Sequence, residues 1–545
     1  MDRHARPPLR PLPPRSPSTI PGLTGSSKIA RGRPASARAS AALVGALVAA
    51  CASACVPDVD PALPPPPGPG FIEEAIPSAI VIDGRFEDWE AVPVAALDPL
   101  GDAGAAVGID MATVKIAHDS GHLFLMVDLG VEISLSQEQY LRLYLDTDDD
   151  ASTGIPFAGL GAELEWTFGQ RAGWFVAPSE QLRIDAHAIG LRTAPTITSR
   201  RFEIALPRAA APDGLHKLFV GDRVRVAFKD NTYNEDFVAD GDQVPDPGGA
   251  LTYEMVGESI EPEAIGIGRD EGDALRVVSW NVLQSGIFDP DRRPRFERIL
   301  KALDPDVINF QELYSPEGID RLVGGFLPGP WAVETFGDRT TLSRLPIEEG
   351  WPLAHDPLHY RFTMVPIQVQ GRRLVIFNAH MSFGSKDFNR QQEADSFIAT
   401  LRDMMTPGGV IDTPEGTPFV LLGDLNLVGQ ARQLDTLLTG AIADQAAFGP
   451  SHAPDWGGGP LTDLSPRQNT LPMAWTWRSE GSDFWPGRLD FFIYTGSVID
   501  VRKSFVLNTE AMTEAELAAF GLQREDTLLA SDHLPVVVDL KLRDL

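Results

Sequence analysis

The sequence predicts an α/β domain in the C-terminal half of the chain, preceded by an all-β sandwich. Three observations lead there. From Asp273 onward, apolar runs (LRVVSWNV, DVINFQEL, RLVIFNAH, FVLLGDLNL, RLDFFIY, HLPVVVDLKL) alternate with helix-like stretches at 291–303 and around 391–404. Continuous Val, Ile, Leu and Phe mark strands buried on both faces in sheets covered by helices. From about 79 to 253 the pattern instead alternates with period two in short runs such as TVKIAHD from Thr113 and RVRVAFKD from Arg223, as a β-sandwich requires. Between the two lies GESIEPEAIGIGRDEG, a polar, acidic, glycine-containing stretch of the kind that separates domains.

At 545 residues the chain exceeds one ordinary core. The expected order is an export signal (1–55), a Pro-rich tether (56–77), the sandwich (78–256), a linker (257–272) and the α/β domain (273–545). The 76 acidic residues outnumber 46 basic ones, a formal net charge of −30, and most of the charges in the first fifty residues are basic. This field disfavours a broad, sequence-independent grip on DNA or RNA, which needs clustered cations. It leaves open a polyanionic substrate in a cleft where bound cations invert the local charge. The only cysteines, Cys51 and Cys55, precede both domains, which therefore hold no disulfide.

Residues 41–54, AALVGALVAACASA, are too short for a good spanning helix and fit the apolar region of an export signal. LVAAC resembles a bacterial lipobox, which implies lipidation at Cys51; a plain cleaved signal is the alternative. VPDVDPALPPPPGPG follows, and its fixed proline φ angles suit a stiff tether. The expected location is the cell envelope, as a lipoprotein, or the extracellular space, with membrane contact only through a lipid anchor.

Within the sandwich, Asp146, Asp148 and Asp150 are spaced to point three carboxylates at one hard cation such as Ca²⁺, or form a solvated acidic turn. IDGRFEDW, LYLDTDDDASTG and GAELEW resemble family 9 carbohydrate-binding modules. That implies polysaccharide binding, for which Trp89, Trp166 and Trp174 are the aromatic candidates, although two at least suit a core as well.

In the α/β domain, Asn281, Glu312, His380, Asp424, Asn426, Asp490, Asp532 and His533 fall at or just past the ends of apolar runs. Side chains at strand ends converge in α/β sheets, where ligands and chemistry gather. SWNVL, QEL, NAH, GDLNL, GRLDFFIY and SDHLP together resemble, in order and spacing, the endonuclease/exonuclease/phosphatase family, whose fold resembles deoxyribonuclease I. The resemblance implies a four-layer sandwich, two packed mixed β-sheets flanked by helices, and a metal-dependent phosphoesterase that is a phosphodiesterase or nuclease.

Phosphate esters repel hydroxide unless a cation neutralises the phosphoryl oxygens, and Mg²⁺ or Mn²⁺ takes one or two carboxylates. Glu312 is the first metal ligand, with Asn281 beside it and Asp532 as a further one. His533 is suited to proton transfer near neutral pH, and the resemblance gives it Asp490 as partner; Asp424 is the alternative base. Asn426 orients the nucleophile or the phosphorus centre, and His380 donates to a phosphoryl oxygen or leaving group. Arg344, Arg361, Arg390 and Arg488 could meet substrate phosphates or surface carboxylates. Trp475 and Trp477 are expected in the core, with a place flanking the cleft as the alternative. Leu313-Tyr314 stands where abasic-site nucleases of the family carry a lysine, which with the export signal argues against DNA repair. The substrate is a phosphate ester, either nucleic acid or a phospholipid headgroup, hydrolysed by a monomer. A sphingomyelinase or an inositol phosphatase is an alternative within the class. A glycan-binding surface protein with an accessory esterase is the alternative outside it.

Overall fold

The computed structural model describes residues 78–544 apart from Pro99, 101–108, Glu138, 231–242, 245–249, 349–350, 353–360, Val410 and Asp412. The export segment, Cys51 and the Pro-rich tether lie outside the described residues.

The sandwich consists of two antiparallel sheets. One has the strand order Val94–Leu97, Met111–His118, His122–Ile133, Ser199–Pro207, Arg192–Ala194; the other centres on Leu141–Asp146, Leu164–Thr167 and Arg223–Asp230. The core between them holds Leu123, Leu125, Val127, Leu143, Trp166 and Phe228. The first half of His122–Ile133, from Leu123 to Val127, is buried on both faces. Its alternate residues Phe124 and Met126 point away from the sandwich core and pack with Ile80, Ile82 and Trp89 against Leu275, Met473 and Trp475 of the C-terminal half. Period two sends successive side chains to opposite faces, so one strand serves two cores. Each such apolar side chain taken from water contributes about 1.5–3 kcal/mol. The two halves accordingly belong to one compact unit.

The C-terminal half is built on two six-stranded mixed sheets. The first runs Ala332–Phe336, Arg339–Ser343, Val307–Gln311, Leu275–Asn281, Val536–Leu542, Ile499–Val506. The second runs Trp351–Pro352, Phe362–Val369, Arg372–His380, Phe419–Asp424, Asp490–Tyr494, Thr462–Leu464. Helices Arg293–Leu303 and Ile319–Phe326 cover the first sheet through Phe296, Ile299, Leu300 and Val323; Asp387–Met405 and Ala431–Thr439 cover the second through Phe397, Leu401 and Leu437. Helix, sheet, sheet and helix make the four layers. In Arg293–Leu303 the apolar residues recur at the spacing of one helical face, Pro294 sits in the first turn where no amide donor is missed, and Asp304 ends the helix at φ 44°.

Each sheet contains one parallel pair, Leu275–Asn281 with Val307–Gln311 and Arg372–His380 with Phe419–Asp424. Their C-terminal ends carry the motifs. A buried polar chain ties the sheets beneath them: Gln311 Nε2 donates to Asn378 Oδ1 at 2.8 Å, and Asn378 Nδ2 donates to Thr341 Oγ1 at 3.4 Å.

The stretch 257–272 has no regular structure, yet it is seated on the C-terminal half. Ile267 is buried in that core, and the Arg276 guanidinium donates to the carbonyls of Ile267 and Gly268 while pairing with Asp539 at 2.6 Å. Composition announced a connector but could not show what holds it. No helix among the described residues is long and apolar enough to cross a membrane.

Candidate active site

The second sheet sets three of the groups in a row. His380 is in register with Asp424, and Asp424 with Asp490, across three adjacent strands. In-register residues of neighbouring strands face the same side. Gly423 is required just before Asp424, since a Cβ there would stand 2.1 Å from the Ala379 carbonyl oxygen and its φ is 126°.

The first sheet supplies the other side. Asn281 ends its strand fully buried; its Nδ2 donates to Glu312 Oε1 at 3.2 Å and to Asp424 Oδ2 at 3.0 Å. The Asn281 amide thus bridges the two sheets at the site. Glu312 follows its strand at φ 58°, and residues 283–285 run at φ 44°, 52° and 60°. Left-handed backbone at non-glycine residues costs energy and persists where surrounding contacts enforce it. Here the amide of Gln284 donates to Glu312 Oε2 at 2.9 Å, and that of Ser285 to the Glu312 carbonyl at 2.8 Å. Asn426, at φ 50°, donates its backbone amide to Asp424 Oδ1 at 3.0 Å and its Nδ2 to the Met381 carbonyl.

Both histidines are buried and oriented by a carboxylate. His533 Nδ1 lies 2.7 Å from Asp490 Oδ2, and His380 Nδ1 lies 2.6 Å from Asp338 Oδ2. Each then presents Nε2 to Asp424 Oδ2, at 3.7 Å in both cases. Burial alone would lower the His533 imidazole, but Asp490 and Asp424 together raise it to about 10. Burial opposes protonation of His380 too, and is overcome by the hydrogen bond it donates to Asp338 and by the charge of Asp424. Burial pushes the Asp424 carboxyl up, against two imidazoles that favour its charged form. Burial would also raise Asp338, yet the hydrogen bond with His380 and the charge of Arg339 bring it down.

Asp532 accepts from Trp477 Nε1 at 3.2 Å. Trp477 is therefore a half-buried wall of the site rather than a core residue, because its indole N–H needs an acceptor and finds this carboxylate. Trp475 is in the core.

All eight expected residues of the C-terminal site converge. Sequence reasoning missed Asp338, which sits in the tight turn between Phe336 and Arg339, where an aspartate reads as turn chemistry. It also missed Thr476, whose Oγ1 accepts from the Asp490 amide at 3.0 Å. The four arginines are paired: Arg344 with Asp304, Arg361 with Glu393, Arg390 with Asp387 and Arg488 with Asp463.

In the sandwich, Asp146 and Asp148 are grouped with Glu163, not with Asp150. Asp150 turns aside to accept from the amide and hydroxyl of Ser152, at 2.9 and 2.6 Å. Glu163 is distant in sequence, which is why spacing alone chose Asp150. Of the three tryptophans, Trp89 and Trp166 are buried and Trp174 is exposed.

The model of the Endonuclease/Exonuclease/phosphatase family matches residues 278–533. No curated protein matches the chain. Among solved structures the chain is similar to a humanized D. rerio TDP2, with 16% identity over 50% of this chain and 100% of that chain at TM-score 0.33. It is similar to the human Nocturnin catalytic domain with bound sulfate, with 15% identity over 50% and 97% at TM-score 0.32. It is also similar to ANGEL2, a 2',3'-cyclic phosphatase, with 14% identity over 49% and 96% at TM-score 0.35. Residues 278–533 therefore resemble the endonuclease/exonuclease/phosphatase family, and the chain is a hydrolase acting on phosphate esters.

Proposed function

We propose that this chain is an exported, divalent-metal-dependent phosphodiesterase of nuclease type. The observation that carries the reading is the pair of carboxylate-oriented imidazoles directed at Asp424 from two sides. Asp490 occupies Nδ1 of His533, which leaves Nε2 as the only position free to exchange a proton with substrate or water. Asp424, held by Asn426 and Asn281, is placed to draw a proton from an attacking water, and the charged His533 to donate to a phosphoryl oxygen. His380 lies across Asp424 and would stabilise the leaving group. Asn426 orients the attacked centre.

The donor set fits a hard cation. Glu312 and Asp532 are partly exposed carboxylates whose hydrogen bonds leave lone pairs free, and the oxygen chemistry suits Mg²⁺ or Mn²⁺. Asn281, whose Nδ2 donates to both Glu312 and Asp424, is better placed to bridge those two carboxylates than to bind the ion. A bound ion would offset the negative charge of the phosphoryl group.

Export rests on the apolar run 41–54, and the lipid anchor on Cys51. The test is hydrolysis of a bis-aryl phosphate, plasmid DNA, RNA and sphingomyelin with Mg²⁺, Mn²⁺ or EDTA. Diester cleavage that EDTA abolishes supports the reading. Cleavage of monoesters alone, or rates indifferent to EDTA, overturns it.

A further inference from the structure

Trp477 and Gly487 pair through their backbones, N to O at 3.0 Å and 3.1 Å, and so close a hairpin at its base. That base belongs to the site, since Trp477 holds Asp532 and Asp490 follows three residues after Gly487. The returning arm belongs elsewhere. Trp485 is 7% exposed and lies in the core of the sandwich, edge-on to Trp166 and Phe168 at 6.4 Å each. Its Nε1 donates to Thr193 Oγ1 at 2.7 Å.

The strand that receives it continues into a segment gripping a second catalytic loop. Thr196 Oγ1 lies 2.9 Å from the Leu427 carbonyl and 3.2 Å from that of Arg488. The Thr198 amide donates to the Gly429 carbonyl at 2.8 Å, and the Ala431 amide to Thr198 Oγ1 at 2.9 Å. Leu427 is one residue past Asn426, and Arg488 two before Asp490. Both are irregular backbone, which takes its conformation from what it is tied to.

We infer that the sandwich is a positioning part of the phosphoesterase site, acting through Trp485 and Thr196 on the loops that carry Asn426 and Asp490. A detachable binding module would not need its core filled by a tryptophan from the domain it serves. The inference rests on the phosphodiesterase reading for its kinetic consequence, though not for its structural one.

The test compares the full chain with Trp485→Ala, Trp485→Phe and Thr196→Val. It measures kcat and KM on a bis-aryl phosphate with Mn²⁺, thermal melting, and hydrogen exchange of peptides covering 424–429 and 486–490. Misplacement by an ångström can cost about 10²-fold. Trp485→Ala and Thr196→Val should therefore lose roughly 10- to 100-fold in kcat at nearly unchanged KM, with faster exchange in both peptides. Trp485→Phe, which still fills the core, should recover most of the rate. Folded variants with wild-type kcat and wild-type exchange overturn the inference. Should Trp485→Ala fail to fold, Thr196→Val decides, since it removes only a hydroxyl. A wild-type chain that cleaves no ester sinks the functional reading instead, while exchange still tests the positioning.

Discussion

His380 and His533 face one another across Asp424, each with its Nε2 3.7 Å from the same carboxylate oxygen and its Nδ1 on a carboxylate of its own. The arrangement joins the two sheets: His380 and Asp490 belong to one, while His533 is delivered from the segment leading into the other. A carboxylate so placed controls which protons the site can move, and the consequences can be measured.

Removing the imidazole should stop turnover. His533→Ala is expected to lower kcat at least about 10²-fold, as loss of a proton-transfer group does. Asp490→Asn should give a smaller loss, because it frees the ring to turn. Steady-state rates on a diester check both, and an unchanged kcat in His533→Ala would remove it from the mechanism.

Asp338 is assigned from the structure alone. Asp338→Asn should lower kcat roughly 10-fold by weakening the charge and the hydrogen bond that orient His380 and favour its protonated form, while melting stays close to wild type. A variant equal to wild type in rate would reduce Asp338 to a turn residue.

Glu312→Gln keeps the shape of the side chain and removes its charge. The half-saturating concentration of Mg²⁺ should rise at least about 10-fold, read from activity against metal concentration and from calorimetric titration of Mn²⁺. Unaltered affinity would place the metal elsewhere.

Protein stripped with EDTA should lose stability in mildly alkaline solution. The folded-state His533 is raised from 6.5 to about 10, so the folded chain binds its proton more tightly than the unfolded one. The stabilisation is complete below pH 6.5 and disappears as pH rises through about 10. Urea midpoints measured from pH 6 to 10 should fall in wild type and flatten in His533→Gln. Parallel curves for the two proteins would contradict the assignment.

The Arg276–Asp539 pair is buried, with side chains 1% and 5% exposed, and also holds the stretch 257–272. Asp539→Ala leaves a buried charge unpaired and should cost about 3–5 kcal/mol by urea unfolding. A loss below about 1 kcal/mol would mean water reaches the arginine.

Much of the fold was written locally. Val277, Val278, Ile308 and Val537 lie in continuous apolar runs because both faces of their strands are covered, and such runs read as strands wherever they occur. The sandwich was legible for the opposite reason, alternation along its strands. Of the site, Asn281, Glu312, Asp424 and His533 could be named because they end those runs in recognisable motifs.

What the sequence by itself determined is therefore the set of elements, their order, and the residues at their ends, all carried by neighbours within a few positions. The tertiary structure alone decided the partners. Asp338 meets His380 across 42 positions, Glu163 replaces Asp150 beside Asp146, and Trp485 enters a core nearly 300 residues earlier in the chain. These contacts depend on strand register, sheet packing and the docking of the two halves, and no periodicity in the chain encodes which distant side chain a buried polar group will find.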